Sequence, residues 1–503
     1  MPIKFLHNLF LVDSKKNVTK PVSILICDNK IFRVFHNAPV KKILKNLRKN
    51  FSDIRVYNLN GCYVIPGFTD SHTHLIAHGI ERQRIDLSKC HSLAECLEKL
   101  NTERNNAILF GVNWDESNWL KHSKEQLNRR TLDRISRNKP VIMRRICGHF
   151  AVCNTKALES ISSKWRIVDK KNGYLYEDAA LYLNQIFRPS LDMYKKAIDI
   201  AMEEALSLGI TSIHEITDLY GFECYQRFKE KLKIRIAIYL QAELNQVNIC
   251  PLQSNFGNDF LKFAGFKLFM DGSIGARTAA INKFYINSRN RGKLLISKRQ
   301  LGRIIEYAES HSIQLMIHSI GDRSTDTVID VFHKTGLITN RLRHRIEHLE
   351  ILSKRTIRKI AHLGLIASMQ PNFLRWQSPG NMYEKNLGLG YKQLNRFKKI
   401  REAGIKLIFG SDCMPLGPIN GINHAINSPF GDVRLTPAEA IYLYTDAPPY
   451  ATFDDDKKGK IEERKFADLV FLNKNPLLKE SYYDLKILMV MVNGSFVYKN
   501  NKF

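Results

Sequence analysis

The sequence predicts an α/β protein: a (β/α)8 TIM-like barrel with a small β-sandwich domain and one long insertion. Three observations lead there. Eight short apolar runs read as buried parallel strands, helix-length amphipathic segments separate most of them, and histidine, lysine or aspartate closes five of the runs. The runs occupy 67–74, 210–215, 234–240, 265–270, 313–318, 343–348, 365–370 and 406–412, with 300–311 and 353–363 as examples of the helical segments. In such barrels the functional groups sit at the C-terminal strand ends.

The two ends of the chain alternate short strands and turns. Asp28-Asn29 and Asn493-Gly494 are the hairpin turns. Neither end has enough strands for a core alone, so residues 1–65 and 453–503 are expected to pair into one composite β-sandwich, with the barrel over 66–452. The opening apolar stretch is broken by His7 and Asn8 and lacks a small-residue cleavage site, which argues against a signal peptide and for an edge strand. Residues from about 90 to 200 break the barrel rhythm, with strand-like runs at 107–112 and 140–146 and helix-like segments at 92–104 and 191–207. They read as an insertion between the first and second barrel strands, rising over the barrel mouth to help build a substrate pocket.

Bulk properties narrow the function. At 503 residues and 44% hydrophobic, the chain suits a soluble barrel with a smaller attached domain. It lacks the roughly 18 consecutive apolar residues of a membrane span. Nine cysteines are dispersed without a C-x-x-C pair, which fits a reducing cytoplasm. The net charge of +28 raises nucleic acid or an anionic membrane as partner. The basic residues are strewn along the chain ("VKKILKNLRKN", "KEKLKIR", "RFKKIREAGIK") without a nucleic-acid motif, so a solvated surface is the better reading, with no specific nucleic acid and no membrane as partner.

The strand ends carry the chemistry. In "VIPGFTDSHTHL", His72 and His74 at i and i+2 point the same way and form a pincer for a divalent metal. Two histidines on a solvated face would look identical, so the weight comes from the company: Lys267 in "GFKLFMDGS", His318 in "MIHSIGDR", His348 in "RHRIEHLEIL" and Asp412 in "LIFGSDCMP". Alternation places Lys267, Phe269 and Asp271 on one face of their strand. It sets His348 with Ile346 on one face of the next-but-one strand and Arg345 and Glu347 on the other. Glu347 could brace His348 or a neighbouring loop, and His344 and His78 read as structural neighbours. Cys413 reads as a small residue lining the pocket rather than a nucleophile. A lysine aimed into a barrel core is costly as an unpaired cation. It can pair with Asp271 or Asp412, or lose its proton and react with carbon dioxide to give a metal-bridging carbamate.

These segments, with "GVNWDESNW", "ICGHFAVCNTKAL", "FKLFMDGSIGART", "SMQPNF", "GSDCMPLGPINGI", "RLTPAEAIYLYT" and "FADLVFLNKNP", make the chain resemble the amidohydrolase superfamily over nearly its whole length. The likeness is to the YtcJ-like branch, which includes N-substituted formamide deformylase and the exoenzyme regulatory protein AepA. The resemblance implies two divalent metals per chain, zinc first with iron, manganese or cobalt also suitable. A carboxylated Lys267 would bridge them, with His72 and His74 on one and His318 and His348 on the other. It also implies Asp412 as the catalytic residue at the end of strand eight: a metal lowers the pKa of bound water to about 7, and Asp412 takes the water proton and passes it to the leaving nitrogen. Trp114, His149, Asp271, Arg277, Arg323 and Gln370 are the candidate substrate contacts. One departure is "EQLNRRTLD", where relatives usually have proline before the arginine.

The expectation is therefore a cytoplasmic, metal-dependent hydrolase acting on a small-molecule amide at a non-peptide carbon–nitrogen bond. An N-substituted formamide or other N-acyl amide comes first by resemblance, and a homo-oligomer is allowed. A mononuclear deaminase or cyclic-amide hydrolase is the rival within enzymes. A non-catalytic basic metalloprotein that regulates or binds RNA is the rival from another class.

Overall fold

A computed structural model describes residues 3–103, 105–116, 119, 127–146, 148, 150–161, 167–176, 178–181, 183–241, 252–336 and 339–500. The chain forms two compact units, one holding the residues up to Leu75 and from Met202 onward, the other Ile76–Ala201.

The first unit contains the barrel. Its eight strands are Phe68–Thr73, Ile210–Thr217, Arg235–Gln241, Leu261–Phe269, Gln314–Ser319, Arg345–His348, Ile366–Met369 and Leu407–Phe409, the places the apolar runs indicate. Each pairs in parallel with the next in chain order. Strands covered on both faces need apolar side chains at successive positions, as in the third strand, where Ile236, Ala237, Ile238, Tyr239 and Leu240 are all buried. Across the seam between strands eight and one, the Asp412 N–H donates to the His72 carbonyl at 2.8 Å. Local signals delimit the outer helices. Lys298–Ser310 begins on a capping box between Ser297 and Gln300. Lys354–Leu363 is capped by Ser353 and stopped by Gly364 at φ 63°, a conformation glycine adopts freely.

Both ends of the chain build one seven-stranded sheet, in the spatial order Ser495–Lys499, Ile487–Val492, Leu469–Leu472, Ile54–Pro66, Ile3–Asp13, Val18–Cys27 and Lys30–His36. The Ala467 N–H donates to the Asn29 carbonyl (2.9 Å) and the Arg464 N–H to that of Ile31 (2.8 Å). The sheet thereby curls over a shared core that includes Leu9, Ile24, Val64, Leu469, Phe471 and Met491. Asn493 and Gly494 both have positive φ, as a two-residue hairpin turn requires.

Two expectations about the N-terminal region are corrected. Ile3–Asp13 is an interior strand, flanked by Val18–Cys27 and Ile54–Pro66; Phe5 and Leu6 face opposite sides and both are buried. Residues 1–65 are also not strands and turns alone, because "VKKILKNLRKN" forms the helix Val40–Asn50. Its Ile43, Leu44 and Leu47 share a stripe packed against Phe5, Leu25 and Phe35. The lysines hide that stripe from a reading that counts charge.

The second unit is a six-stranded sheet, ordered Ile167–Asp169, Tyr174–Tyr176, Phe150–Cys153, Val141–Arg145, Leu109–Trp114 and Ile85–Asp86. Strand alternation divides its core. Leu109, Val141 and Met143 pack with Leu93, Cys96 and Leu100 on one face. Phe110, Val112 and Ile142 pack with Ala157, Ala179 and Leu183 on the other.

Candidate metal centre

At the C-terminal ends of the barrel strands the histidines line up. His72 near the end of strand one and His74 directly after it have ring centroids 5.7 Å apart. His72 is 4.8 Å from His348, and His348 is 4.4 Å from His318. Asp412 Oδ1 faces the pincer, 3.3 Å from His74 Nε2 and 3.6 Å from His72 Nε2. One donor atom each from His72, His348 and Asp412 lies within 4.8 Å of the other two.

Backbone conformation brings two of these groups in. Arg345 and Glu347 occupy the inward face of strand six, where they meet His72, His214 and Ser71. His344 faces outward, bonded to the Leu315 N–H and Glu309. Simple alternation would send His348 outward with Ile346. Instead His348 and Leu349 adopt φ of 72° and 50°, which breaks the alternation and turns the imidazole into the site. The expectation that His348 shares a face with Ile346, opposite Glu347, is thus corrected. Asp412 and Cys413 make the same left-handed step after strand eight, with φ of 56° and 55°. Non-glycine residues adopt such φ infrequently, and each instance costs about 1–3 kcal/mol.

Hydrogen bonds set the imidazole tautomers. His72 Nδ1 is 2.5 Å from Glu347 Oε2, His348 Nδ1 is 2.7 Å from Gln370 Oε1, and His318 Nε2 is 3.1 Å from the Gly272 carbonyl. Each partner oxygen accepts, so each of these nitrogens carries the proton. The lone pairs are then on Nε2 of His72 and His348 and on Nδ1 of His318.

Burial favours neutral imidazole. It pushes His72 and His348 well below the ordinary histidine range, assisted at His72 by Lys267 and at His348 by His318 and His72. His318 falls to about 3, through burial and then Lys267. Asp412 is pulled upward by burial but held below the usual carboxylate range by His72, His74 and Lys267. At neutral pH His72, His318 and His348 are therefore neutral imidazoles and Asp412 a carboxylate, the protonation states a divalent metal requires.

Lys267 is fully buried and its Nζ has no hydrogen-bond partner. The alternative of an ion pair with Asp271 or Asp412 does not form. Nζ instead lies 5.1 Å from the centre of the Phe269 ring. Burial lowers its pKa to about 8 against the opposing pull of Glu347 and Asp412. An orphaned, readily deprotonated amine beside the histidine row suits a group that becomes a metal ligand.

The other candidate residues have identifiable partners. Asp271 accepts the backbone N–H groups of Ala280, Ile320 and Gly321, which organises the loops after strands four and five. Arg277 Nε donates to Asn386 Oδ1 (2.7 Å), and Arg323 donates to the carbonyls of Arg291 and Gly292. Gln370 orients His348. Trp114 is buried in the core of the second unit, stacked on Trp119. His149 lies outside the described residues. Cys413 Sγ accepts the His74 N–H, and burial raises its thiol well above the ordinary range, so it is no ready nucleophile.

Sequence reasoning offered Glu347 His348 or a neighbouring loop to brace, whereas its carboxylate meets His72 and Arg345, and it gave Arg345 no part. Both are fully buried and paired, Arg345 Nε to Glu347 Oε1 at 2.6 Å. The available signal was the pair of opposite charges inside a short buried strand, "RIEH", because buried charges persist only when partnered. Glu350 was also missed: its buried carboxyl, raised to about 8, accepts the Tyr383 hydroxyl.

Comparison with known proteins bears on the fold and the broad class. The sequence profile described as "Amidohydrolase family" matches residues 55–498. The YtcJ protein of Bacillus subtilis (strain 168), which carries an amidohydrolase name, is 26% identical over 483 residues, covering 88% of this chain and 90% of its own. N-substituted formamide deformylase of Arthrobacter pascens is 23% identical, covering 89% and 90%. Among solved structures, an uncharacterized metal-dependent hydrolase from Pyrococcus horikoshii OT3 superposes with a TM-score of 0.82 at 26% identity, covering 95% of this chain and 99% of that one.

Proposed function

Because the chain belongs to the amidohydrolase family, we propose that it hydrolyses a non-peptide carbon–nitrogen bond in a small molecule, with an N-substituted formamide or related N-acyl amide as the first substrate class. The broad class is a metal-dependent hydrolase of the amidohydrolase superfamily. One observation supports the metal-dependent class: donor atoms of His72, His348 and Asp412 converge within 4.8 Å. The formamide class is suggested by the name of the Arthrobacter relative.

A divalent cation, when bound, supplies Lewis acidity and lowers the pKa of a water it ligates from about 15.7 to about 7. The chain's own residues do the rest. His72, His74, His318 and His348 would hold such a cation through their nitrogen lone pairs, and Lys267, if its neutral amine added to carbon dioxide and lost a proton, would supply an anionic oxygen ligand beside them. Asp412, kept ionised, accepts the proton of the attacking water and hands it to the departing nitrogen, which must be protonated to leave. Strands one, four, five, six and eight and the turns directly after them hold these groups.

A mononuclear site serving a deaminase or cyclic-amide hydrolase is the second reading. It is favoured by the grouping of His348 with His72 and Asp412, since one cation there would draw His348 away from a His318 pairing. The substrate is a small molecule in either case, with no specific nucleic acid or membrane partner. A cytoplasmic location fits the dispersed cysteines, and no described helix is long and apolar enough to cross a membrane.

The test is metal analysis of the purified chain with a hydrolysis screen over N-formyl, N-acyl and cyclic amides. Two zinc equivalents and turnover of an N-formyl or N-acyl amide are expected. One equivalent with turnover of cyclic amides or amino-heterocycles alone selects the second reading, and a protein that binds no divalent metal overturns both.

A further inference from the structure

Glu347 and Arg345 form a buried unit that ends on His72. Arg345 Nε donates to Glu347 Oε1 at 2.6 Å and its NH2 group to Oε2 at 3.1 Å. The same guanidinium reaches three further barrel strands: the Ser71 carbonyl on strand one (2.7 Å), His214 Nδ1 on strand two (2.7 Å) and Ser368 Oγ on strand seven (2.6 Å). Arg345 and Glu347 are both fully buried. An arginine keeps its charge and only donates, so the carboxylate clamped by it stays an acceptor. Glu347 Oε2 therefore accepts a hydrogen bond from the His72 Nδ1–H, at 2.5 Å.

We propose that Glu347, anchored by Arg345, is a positioning residue for the metal centre, fixing His72 with its proton on Nδ1 and its Nε2 lone pair turned toward His348 and Asp412. The inference rests on the reading of this cluster as a metal site. An ion pair kept for stability alone would be satisfied between Arg345 and Glu347. The contact to His72, together with the Arg345 bond to the carbonyl of adjacent Ser71, ties both side chain and backbone of that residue. Carboxylate partners of this kind orient a ligating imidazole and raise its basicity, and losing one costs roughly 10–100-fold in metal affinity. Arg345 adds a constraint across four strands, so the position of His72 depends on residues distant from it in sequence.

Glu347→Gln is the direct test. Its amide NH2 opposes the Arg345 donors, so the side chain cannot hold Arg345 and His72 together. The expected result, in the full-length protein, is zinc affinity weakened roughly 10–100-fold by chelator competition and an altered visible spectrum of the cobalt-substituted protein, with a wild-type far-ultraviolet circular dichroism spectrum. Ser368→Ala, which removes one Arg345 anchor and leaves Glu347, is expected to give a smaller change in the same direction. A folded Glu347→Gln protein with wild-type zinc affinity and cobalt spectrum overturns the proposal. If Glu347→Gln does not fold, wild-type affinity and spectrum in Ser368→Ala overturn it. A wild-type protein that binds neither metal overturns instead the reading of the site on which the proposal rests.

Discussion

Gly410 approaches His72 so closely that a Cβ built on it would lie 2.5 Å from the His72 backbone nitrogen and 2.7 Å from its Cβ. The seam between barrel strands eight and one closes at this point, two residues before Asp412. Gly410→Ala is expected to push strand one outward, with a stability loss of about 1–3 kcal/mol, as for other overpacked sites, and lower metal occupancy. Chemical denaturation and metal analysis check it. Wild-type values in both would show that the seam tolerates a methyl group and that glycine is not required there.

Much of this architecture is legible in the sequence because barrel strands such as Arg235–Gln241 and Gln314–Ser319 are covered on both faces and so carry runs of apolar residues. The candidate ligand residues stand out by their company: one histidine at a strand end carries little weight, but histidine, lysine or aspartate closes five of the runs. What is not legible is long-range or conformational. Nothing in "HRIEH" shows that Glu347 meets a histidine 275 positions away. Period-two alternation also misplaces His348, since a single left-handed residue reverses a side chain without any glycine to announce it. The helix Val40–Asn50 is obscured by its lysines. The substrate lining is least legible of all, because Asp271, Arg277 and Arg323 are polar residues that serve loop structure equally well.

Asp412→Asn is expected to keep the metals and lower turnover about 10²–10⁴-fold, the usual worth of general acid–base help. The amide retains the shape of the side chain and its neighbours His72 and His74, but cannot take up a proton at neutral pH. Steady-state kinetics on an identified amide substrate, with metal content measured in parallel, check it. A wild-type rate in the variant would remove Asp412 from the proton transfer.

The charge of +28, spread over the chain, predicts only weak and non-specific binding to nucleic acid, lost steeply as salt is added. Fluorescence anisotropy with unrelated RNA and DNA sequences, from low to physiological salt, checks it. Tight binding of one sequence at physiological salt would instead support a role for the basic surface.

Lys267 yields the prediction that bears most on nuclearity. Its pKa is lowered from 10.5 to about 8 in the folded chain, so between those values the unfolded chain binds more protons. By linkage, stability rises with pH across that window. The penalty of burying this cation is accordingly full below about pH 8 and gone by about 10.5. At roughly 1.4 kcal/mol per pKa unit it is on the order of 3 kcal/mol. Metal-free Lys267→Met should therefore be more stable than the metal-free wild type at pH 7, and the gap should close toward pH 10.5; denaturation at the two pH values measures it. With metal present the sign is expected to reverse, because the carbamate is then a ligand. Lys267→Ala should lose one or both metals, and a short carboxylic acid at high concentration should partly restore activity by occupying the vacated position. Full metal content in Lys267→Ala, with no response to added acid, would leave Lys267 outside the coordination sphere and favour the mononuclear reading.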